Sequence, residues 1–473
     1  MITYAEACLD PDLFGPWFEG DTWATWRVLD KALFGEQLDE AEMAVFRELT
    51  GGDESPALPV QEAWLVMGRR SGKDVKAASI CAYIATIGAM QMDFRRYLVP
   101  GERGVVQLLA VDRDQSRVCL GYLKAFFERP VLAQEVVGMS AEGIELANGL
   151  SIEVTTNDQR RVRGRTVIAV VFDEVAFWRS EGSVSPDTDV YNAVKPAMVT
   201  IPNAMLIAIS SPYARRGLLW SKHHAHYGKP SDRILVAQAP TWVMNPTVRR
   251  DGEFLTEAFN EDPAAAGAEF GAQFRSDVEA LLTREAVEAV IAGGVRERAP
   301  IEGIPYVAFV DPSGGSADSM TLGIGHREGD RAVLDAIRER KPPFSPEAVV
   351  GEFADLMRSY GIMRVVGDRY GGEWPREVFA KAGIIYEPSD RPKSDLYRDM
   401  LPLINSGRAD LIEHDRMKAQ LIGLERRTAR GGRDSIDHAP GGHDDVANAV
   451  AGVLVRCASG GTNLELWAKL AAA

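Results

Sequence analysis

Trp64-Leu65-Val66-Met67-Gly68-Arg69-Arg70-Ser71-Gly72-Lys73-Asp74 decides the fold of the first half of this chain. A short apolar run reads as a buried strand, two glycines follow, and the stretch from Lys73 to Thr86 reads as a helix. Strand, glycine loop and helix in that order make a phosphate cradle. Glycines let backbone N–H groups approach phosphate oxygens, the helix N-terminus adds its dipole, and a lysine neutralises the β/γ charge. The spacing is imperfect: the usual first glycine would fall at Met67, and Asp74 stands where a Ser or Thr on Mg2+ is expected. The complement lies downstream. Ala169-Val170-Val171-Phe172 is a second buried strand, and it delivers Asp173 and Glu174, one suited to holding Mg2+ and the other to orienting an attacking water. A solvated strand end would account for the acidic pair alone, but not for its pairing with an earlier strand–Gly–Lys–helix unit. The nucleotide-binding set is therefore Gly68, Arg69, Arg70, Ser71, Gly72, Lys73, Asp74 and Asp173, for ATP with Mg2+, and Glu174 is the catalytic acid residue. A further strand, Leu206 to Ile209, ends in Ser210-Ser211-Pro212, hydroxyls placed to sense a γ-phosphate, although a plain strand–turn would look the same.

Around this loop the apolar pattern predicts strands at 64–67, 105–111, 151–154, 167–172, 205–209 and 233–237, with helices at 73–86 and 115–127. Several of the runs are unbroken, as in a parallel sheet buried on both faces. The expectation is an α/β P-loop NTPase domain over 61–240 with a mainly parallel sheet. Residues 1–60 read as its helical N-terminal segment, with Trp23, Trp26, Leu29, Leu33, Phe46 and Leu49 at near-helical spacing. Aromatics so spaced are usually core, and an adenine-stacking role is the alternative. Residues 241–300, with Asn245-Pro246, Pro263 and Gly293-Gly294, read as a connector.

From 301 to 460 the order is three strands, helix, strand, helix, strand and then helices to about residue 457, the order of an RNase H-like domain. A short tail, 461–473, ends the chain. Asp311 closes the strand Tyr306–Val310, and Asp368 closes the strand near Met363–Gly367. The Asp444-Asp445 pair follows Gly441-Gly442-His443 at the start of a helix. Phosphodiester hydrolysis with hard cations needs such carboxylates from different elements, with two ions ~3.5–4 Å apart. The expected ligands are Asp311, Asp368, Asp444 and Asp445, for Mg2+ or Mn2+, with two ions expected. Adjacent helical residues point ~100° apart, so one of the last two should aim more squarely at a metal. Asp318 is an auxiliary candidate, His438 and His443 lie close to the pair, and Lys393 and Arg433 are candidate contacts for DNA phosphates. Taken singly, each acid reads more readily as a turn or capping residue than as a ligand, and the convergence is what points to metal.

Composition bounds these readings. The chain has 473 residues, 46% hydrophobic and 26% charged, which is globular and long enough for two or three domains. No run approaches the ~20 apolar residues of a membrane span, and MITYAEACLDPDLFG lacks the pattern of a secretory signal. Cys8, Cys81, Cys119 and Cys457 show no metal or disulfide spacing, and His223-His224-Ala225-His226 reads as part of one helix. The net charge of −15 argues against nucleic acid as a whole-molecule partner. Basic residues nonetheless cluster at Arg69-Arg70, at Arg160-Arg161-Val162-Arg163-Gly164-Arg165, at Arg215-Arg216, and at Arg426-Arg427 with Arg430 and Arg433.

GRRSGKD, VVFDEVAFW, AISSPYARRG, Asn245-Pro246, Gln273-Phe274-Arg275 and GGHDDVANAV together resemble the large terminase subunit of tailed double-stranded DNA bacteriophages, over nearly the whole chain. The resemblance implies an N-terminal packaging ATPase and a C-terminal RNase H-like endonuclease in the host cytoplasm. It implies double-stranded DNA, a portal protein and a small terminase subunit as partners, and a homo-oligomeric ring as the active form. By it Lys73, Asp173 and Glu174 inherit the lysine, metal and catalytic roles. Asp74 departs from the usual hydroxyl, and Arg69, Arg70 or Arg163 is the arginine that completes the site. An ATP-dependent helicase or repair nuclease, or a DNA-binding assembly protein with decayed sites, are the alternatives.

Overall fold

The computed structural model describes residues 2–157, 164–178, 186–316, 318–368, 373–428, 434–440 and 442–459. Arg160, Arg161, Arg163, Arg430, Arg433 and the tail 461–473 lie outside the described residues. Within these, the chain divides into two compact units, one up to Ser276 and the other from Asp277.

The first unit is built on strands β1 (Glu62–Met67), β2 (Gly104–Ala110), β3 (Val136–Met139), β4 (Gly143–Leu146), β5 (Leu150–Thr156), β6 (Thr166–Asp173), β7 (Met205–Ser210) and β8 (Ile234–Ala239), in the order β3-β4-β5-β2-β6-β7-β1-β8. The strands from β5 to β8 in that order are mutually parallel. Every residue of β1 and β7 is buried, as the uninterrupted apolar runs require of strands covered on both faces. The β3–β4 hairpin escapes the sequence reading because its outer strand alternates between half-buried and exposed positions. β7 lies between β1 and β6, pairing Val66 with Ser210 and Ile209 with Asp173. The loops that leave the carboxyl ends of these three strands therefore share one edge of the sheet, where ligands bind in open α/β sheets.

The N-terminal helices pack on this sheet. Trp26, Leu29 and Leu33, on the helix Ala24–Leu33, are fully buried. Asp30 of the same helix meets Lys76 at 2.5 Å with both side chains wholly inside, and Phe18 lies 4.0 Å below the ammonium. Burial raises the Asp30 carboxyl, and the Lys76 charge opposes that rise. Removing one member of such a pair leaves an uncompensated buried charge, which costs about 3–5 kcal/mol. Asp30→Ala is accordingly expected to lower the urea midpoint of this unit, followed by tryptophan fluorescence. A midpoint equal to wild type would contradict that.

The helix Lys73–Met92 is long and apolar enough to cross a membrane, contrary to the sequence expectation, but most of it is buried within the unit. All four cysteines are buried and free. His223 packs between Tyr227 and Phe274 and meets Gln238 at 2.8 Å, so this histidine serves packing.

The expected connector 241–300 is divided between the units. Its first part wraps the phosphate loop, as described below. Its second part opens the second unit with β9 (Val278–Ala280), which pairs with β16 (Leu424–Arg427) and through it with β17 (Ser435–His438). The sequence pattern predicts helices over 424–438, and the structure has strands there instead. β16 and β17 carry Arg426, Arg427, Asp437 and His438 rather than an apolar alternation, so only tertiary pairing reveals them.

The main sheet of the second unit contains β10 (Tyr306–Asp311), β11 (Met320–Glu328), β12 (Arg331–Arg340), β13 (Arg364–Gly367), β14 (Ile385–Pro388) and β15 (Ala409–Asp410), in the order β14-β13-β10-β11-β12-β15. β10, β11 and β12 are antiparallel, while β13 and β14 run parallel to β10. This is the expected RNase H-like arrangement, with β15 added beside β12. The helix Asp445–Ser459 lies against β10, β11 and β12 and is buried along nearly all its length. Gly452 permits the approach, since a Cβ there would run into the Phe309 ring.

Candidate nucleotide and metal sites

The phosphate loop is held from two sides by its own unit. Arg70 and Gly72 have φ of 67° and 85°, left-handed values that cost a non-glycine residue energy. A Cβ at Gly72 would meet the Trp23 ring at 2.6 Å, and one at Gly68 would meet the Thr241 backbone nitrogen at 2.6 Å, so both positions exclude a side chain. The Trp26 indole N–H donates to the Ser71 carbonyl at 2.7 Å. Thr241 Oγ1 donates to the Arg69 carbonyl at 2.7 Å, and Asn245 Nδ2 donates to the Arg70 carbonyl at 2.9 Å. Three successive loop carbonyls, those of Arg69, Arg70 and Ser71, are thereby held by side-chain donors. Trp26 is thus spent on packing and on the loop, not on adenine stacking.

Lys73, on the first turn of the following helix, is almost fully buried and contacts Glu174 Oε1 at 2.9 Å. Burial works against its charge, but Glu174, Asp74 and Asp173 outweigh burial and raise its pKa. Glu174 stands in a left-handed conformation just beyond β6, with its N–H bonded to the Ile209 carbonyl. Its Oε2 accepts from the Ser211 N–H at 3.1 Å and lies 3.2 Å from Ser210 Oγ. The structure therefore brings one of the two expected sensor hydroxyls, that of Ser210, onto the expected catalytic carboxylate, while Ser211 reaches it through its backbone N–H. Asp173 is buried, and its Oδ2 accepts from Gln115 Nε2 at 2.8 Å. Its pKa is pushed up to about 8, by burial first and then by the Glu174 and Asp74 charges. Its Oδ1 is buried without a hydrogen-bond partner, as is Ser71 Oγ. Buried carboxylates repelling one another, with an unsatisfied oxygen, fit a bound divalent cation. Arg69 is exposed and paired with Glu269 at 3.2 Å. Gln115, Thr241 and Asn245 escape the sequence reading, since nothing local marks them as partners of the loop or of Asp173.

In the second unit Asp311 and Asp368 end the neighbouring strands β10 and β13, and the helix after Gly442 supplies the other acids. Asn448, fully buried one turn into that helix, donates from Nδ2 to Asp368 Oδ2 at 3.1 Å. Asp311 is raised well above the ordinary carboxylate range by burial, the Asn448 amide opposing, with the Asp445, Asp368 and Asp444 charges adding to the rise. The three other expected carboxylates are therefore near enough to act on Asp311, although among the described residues the tightest cluster of ligand atoms is Asp437, His438 and Asp444 rather than these four. Asp444 Oδ2 accepts from Tyr397 at 2.7 Å and from Lys393 at 2.9 Å. Asp445 is lifted to about 6, mainly by burial, and its Oδ2 makes no hydrogen bond, with Arg416 3.8 Å away. Asp444 and Asp445 are thus both inside the cluster but differently engaged. The acid-rich, partly unsatisfied oxygen set fits hard divalent cations.

Lys393 bridges Asp444 and Asp437, each at 2.9 Å, so it stands beside the acids rather than free for a DNA phosphate. Asp437, His438 and Asp444 have ligand atoms within 4.8 Å of one another. Asp318 is exposed, 3.8 Å from His443. Asn448 and Tyr397 are site residues that the sequence reading lacks, although Asn448 follows the Asp444-Asp445 pair at helical spacing.

Residues 36–271, just under half of the chain, match the family model described as "Uncharacterized protein MJ0330, N-terminal P-loop domain". No curated protein matches the sequence. Among solved structures, the large terminase of bacteriophage HK97 is similar at 16% identity and a TM-score of 0.38, covering 84% of this chain and 91% of that one. A large terminase from the thermophilic bacteriophage D6E, solved in complex with ADP, is similar at 12% identity and a TM-score of 0.36, covering 82% of this chain and 92% of that one. The large terminase nuclease of thermophilic phage G20c, solved with bound magnesium, is similar at 18% identity and a TM-score of 0.32, covering 36% of this chain and 94% of that one. Residues 36–271 of this chain form an N-terminal P-loop domain, and the chain as a whole is similar to phage large terminases.

Proposed function

We propose that this chain is the large subunit of a viral DNA-packaging motor, an ATPase that translocates double-stranded DNA and a metal-dependent endonuclease that cuts it. The observation that carries the reading is the presence in one chain of two buried charge constellations suited to phosphate chemistry. These are Lys73 with Asp173 and Glu174 in one unit, and the carboxylates around Asn448 in the other. The second unit is a carboxylate-bearing mixed sheet rather than a second motor domain, which favours this reading over a helicase.

In the first unit the backbone of Gly68–Lys73 receives the phosphates, and Lys73 exchanges its Glu174 partner for β/γ oxygens. Glu174, so released, is free to orient the attacking water, held at its other oxygen by the Ser211 N–H. Asp173 would hold Mg2+, whose charge would offset that of the phosphates when bound. Loss of the γ-phosphate would return Lys73 to Glu174 and alter the Ser210-Ser211 turn. In the second unit Asp311, Asp368 and the helix acids would hold Mg2+ or Mn2+, which would activate water and stabilise the leaving oxygen. The proposed partners are double-stranded DNA, a portal protein and a small terminase subunit, with a homo-oligomeric ring as the active form in the host cytoplasm.

The test is nuclease protection. Purified chain, ATP and linear double-stranded DNA are combined with procapsids from the phage or prophage that encodes it. DNA that becomes resistant to added nuclease only when ATP can be hydrolysed supports the motor. Robust ATP hydrolysis and DNA cleavage with no protected DNA, using procapsids that a known active motor fills, would overturn it.

A further inference from the structure

Among the acids of the second unit stands one neutral, fully buried amide, that of Asn448. It donates to Asp368 Oδ2 at the end of β13, and as a polar neighbour of Asp311 at the end of β10 it opposes the burial-driven rise of that carboxyl. The orientation of the amide is fixed chemically. The NH2 end faces Asp368, whose ionised Oδ2 can only accept. That leaves Oδ1, which is buried and has no hydrogen-bond partner. A buried amide oxygen without a partner costs free energy that a cation or its bound water would recover. Neither hydrocarbon nor carboxylate could replace this group. An apolar residue would leave Asp311 and Asp368 to repel each other, and an Asp would add a further like charge between them.

We propose that Asn448 is a positioning residue for the metal site, an amide clamp that holds Asp311 and Asp368 at a fixed separation before a cation arrives and offers Oδ1 to that cation or to its water. The inference rests on the nuclease reading above and adds a residue that the acidic motif does not supply. The clamp does part of the work of the metal in the cation-free protein, so its loss should make the site more dependent on metal.

The experiment measures Mn2+ binding to the full chain by titration calorimetry without nucleotide, with Asp311→Ala as the site-deficient control. Melting curves in EDTA and in Mn2+ are recorded beside it. Wild type is expected to bind more Mn2+ than Asp311→Ala does, and Asn448→Ala to bind it at least tenfold more weakly than wild type. Asn448→Asp keeps the size and inverts the chemistry, so it is expected to melt lower than wild type in EDTA and to be raised more by Mn2+ than wild type is. Should Asn448→Ala fail to fold, the Asn448→Asp melting shift decides alone. Wild-type affinity in Asn448→Ala, or equal Mn2+ shifts in wild type and Asn448→Asp, overturns the clamp while leaving the metal site standing. Equal Mn2+ binding by wild type and Asp311→Ala overturns the metal-site reading, and the clamp with it.

Discussion

Lys73→Ala and Glu174→Ala should each remove ATP turnover, but they should part company in nucleotide binding. Lys73 supplies a buried ammonium at the phosphate loop, held 2.9 Å from Glu174. A preorganised charge that faces a transferring phosphoryl group is worth on the order of 100- to 1,000-fold in rate, ~2.7–4 kcal/mol, when removed. Its loss also leaves Glu174, Asp173 and Asp74 facing the phosphates without that cation, so Lys73→Ala should bind ATP poorly as well. Glu174→Ala removes a competitor. In wild type the phosphates must take Lys73 from a carboxylate, whereas in this variant the ammonium is free in advance. Nucleotide affinity should therefore equal or exceed that of wild type while hydrolysis falls at least as far as in Lys73→Ala. Fluorescent-nucleotide binding and phosphate release on the same preparations separate the two. Hydrolysis near wild-type rates in either variant would remove these residues from the site.

The second large effect belongs to Asp311. It is the acid on which the other three act, since burial together with the Asp445, Asp368 and Asp444 charges raises its pKa. A group so placed repels its neighbours unless a cation stands among them. Asp311→Ala should reduce plasmid cleavage in Mg2+ or Mn2+ by about 1,000-fold or more, comparable with losing a principal transition-state stabiliser. ATP turnover should stay unchanged, because Lys73, Asp173 and Glu174 all belong to the first unit and Asp311 to the second. Cleavage should also be largely indifferent to sequence, since metal ions engage phosphate rather than base edges. Cleavage that persists in Asp311→Ala would mean that the carboxylate cluster is not the nuclease.

The legible parts of this fold share one physical origin. β1, β6 and β7 lie inside a parallel sheet, where both faces must be apolar, so Trp64–Met67, Val167–Phe172 and Met205–Ile209 announce themselves as unbroken runs. Asp173 and Glu174 at the end of β6, and Asp311 and Asp368 in the second unit, stand out because a charge directly after such a run is easily seen. What stays hidden depends on partners distant in sequence. Thr241 and Asn245 read as connector residues, and only their hydrogen bonds to the Arg69 and Arg70 carbonyls place them on the phosphate loop. β16 and β17 exist through pairing with each other and with β9, and their polar sequences give no period to read. Asn448 follows the Asp444-Asp445 pair at helical spacing, but nothing else local marks a buried amide, and its role appears only in the packing of the helix on β10 and its contact with Asp368 at the end of β13.

One measurement tests the central claim of two independent phosphate-chemistry sites most directly. Wild type, Glu174→Ala, Asp311→Ala and the double variant are each assayed for ATP turnover and for plasmid cleavage in Mg2+ and in EDTA. Wild type should show both activities, with cleavage lost in EDTA. Glu174→Ala should lose ATP turnover and still cut in the absence of ATP, Asp311→Ala should show the reverse, and the double variant should show neither. Cleavage in EDTA, cleavage by Asp311→Ala, or ATP turnover by Glu174→Ala would contradict it.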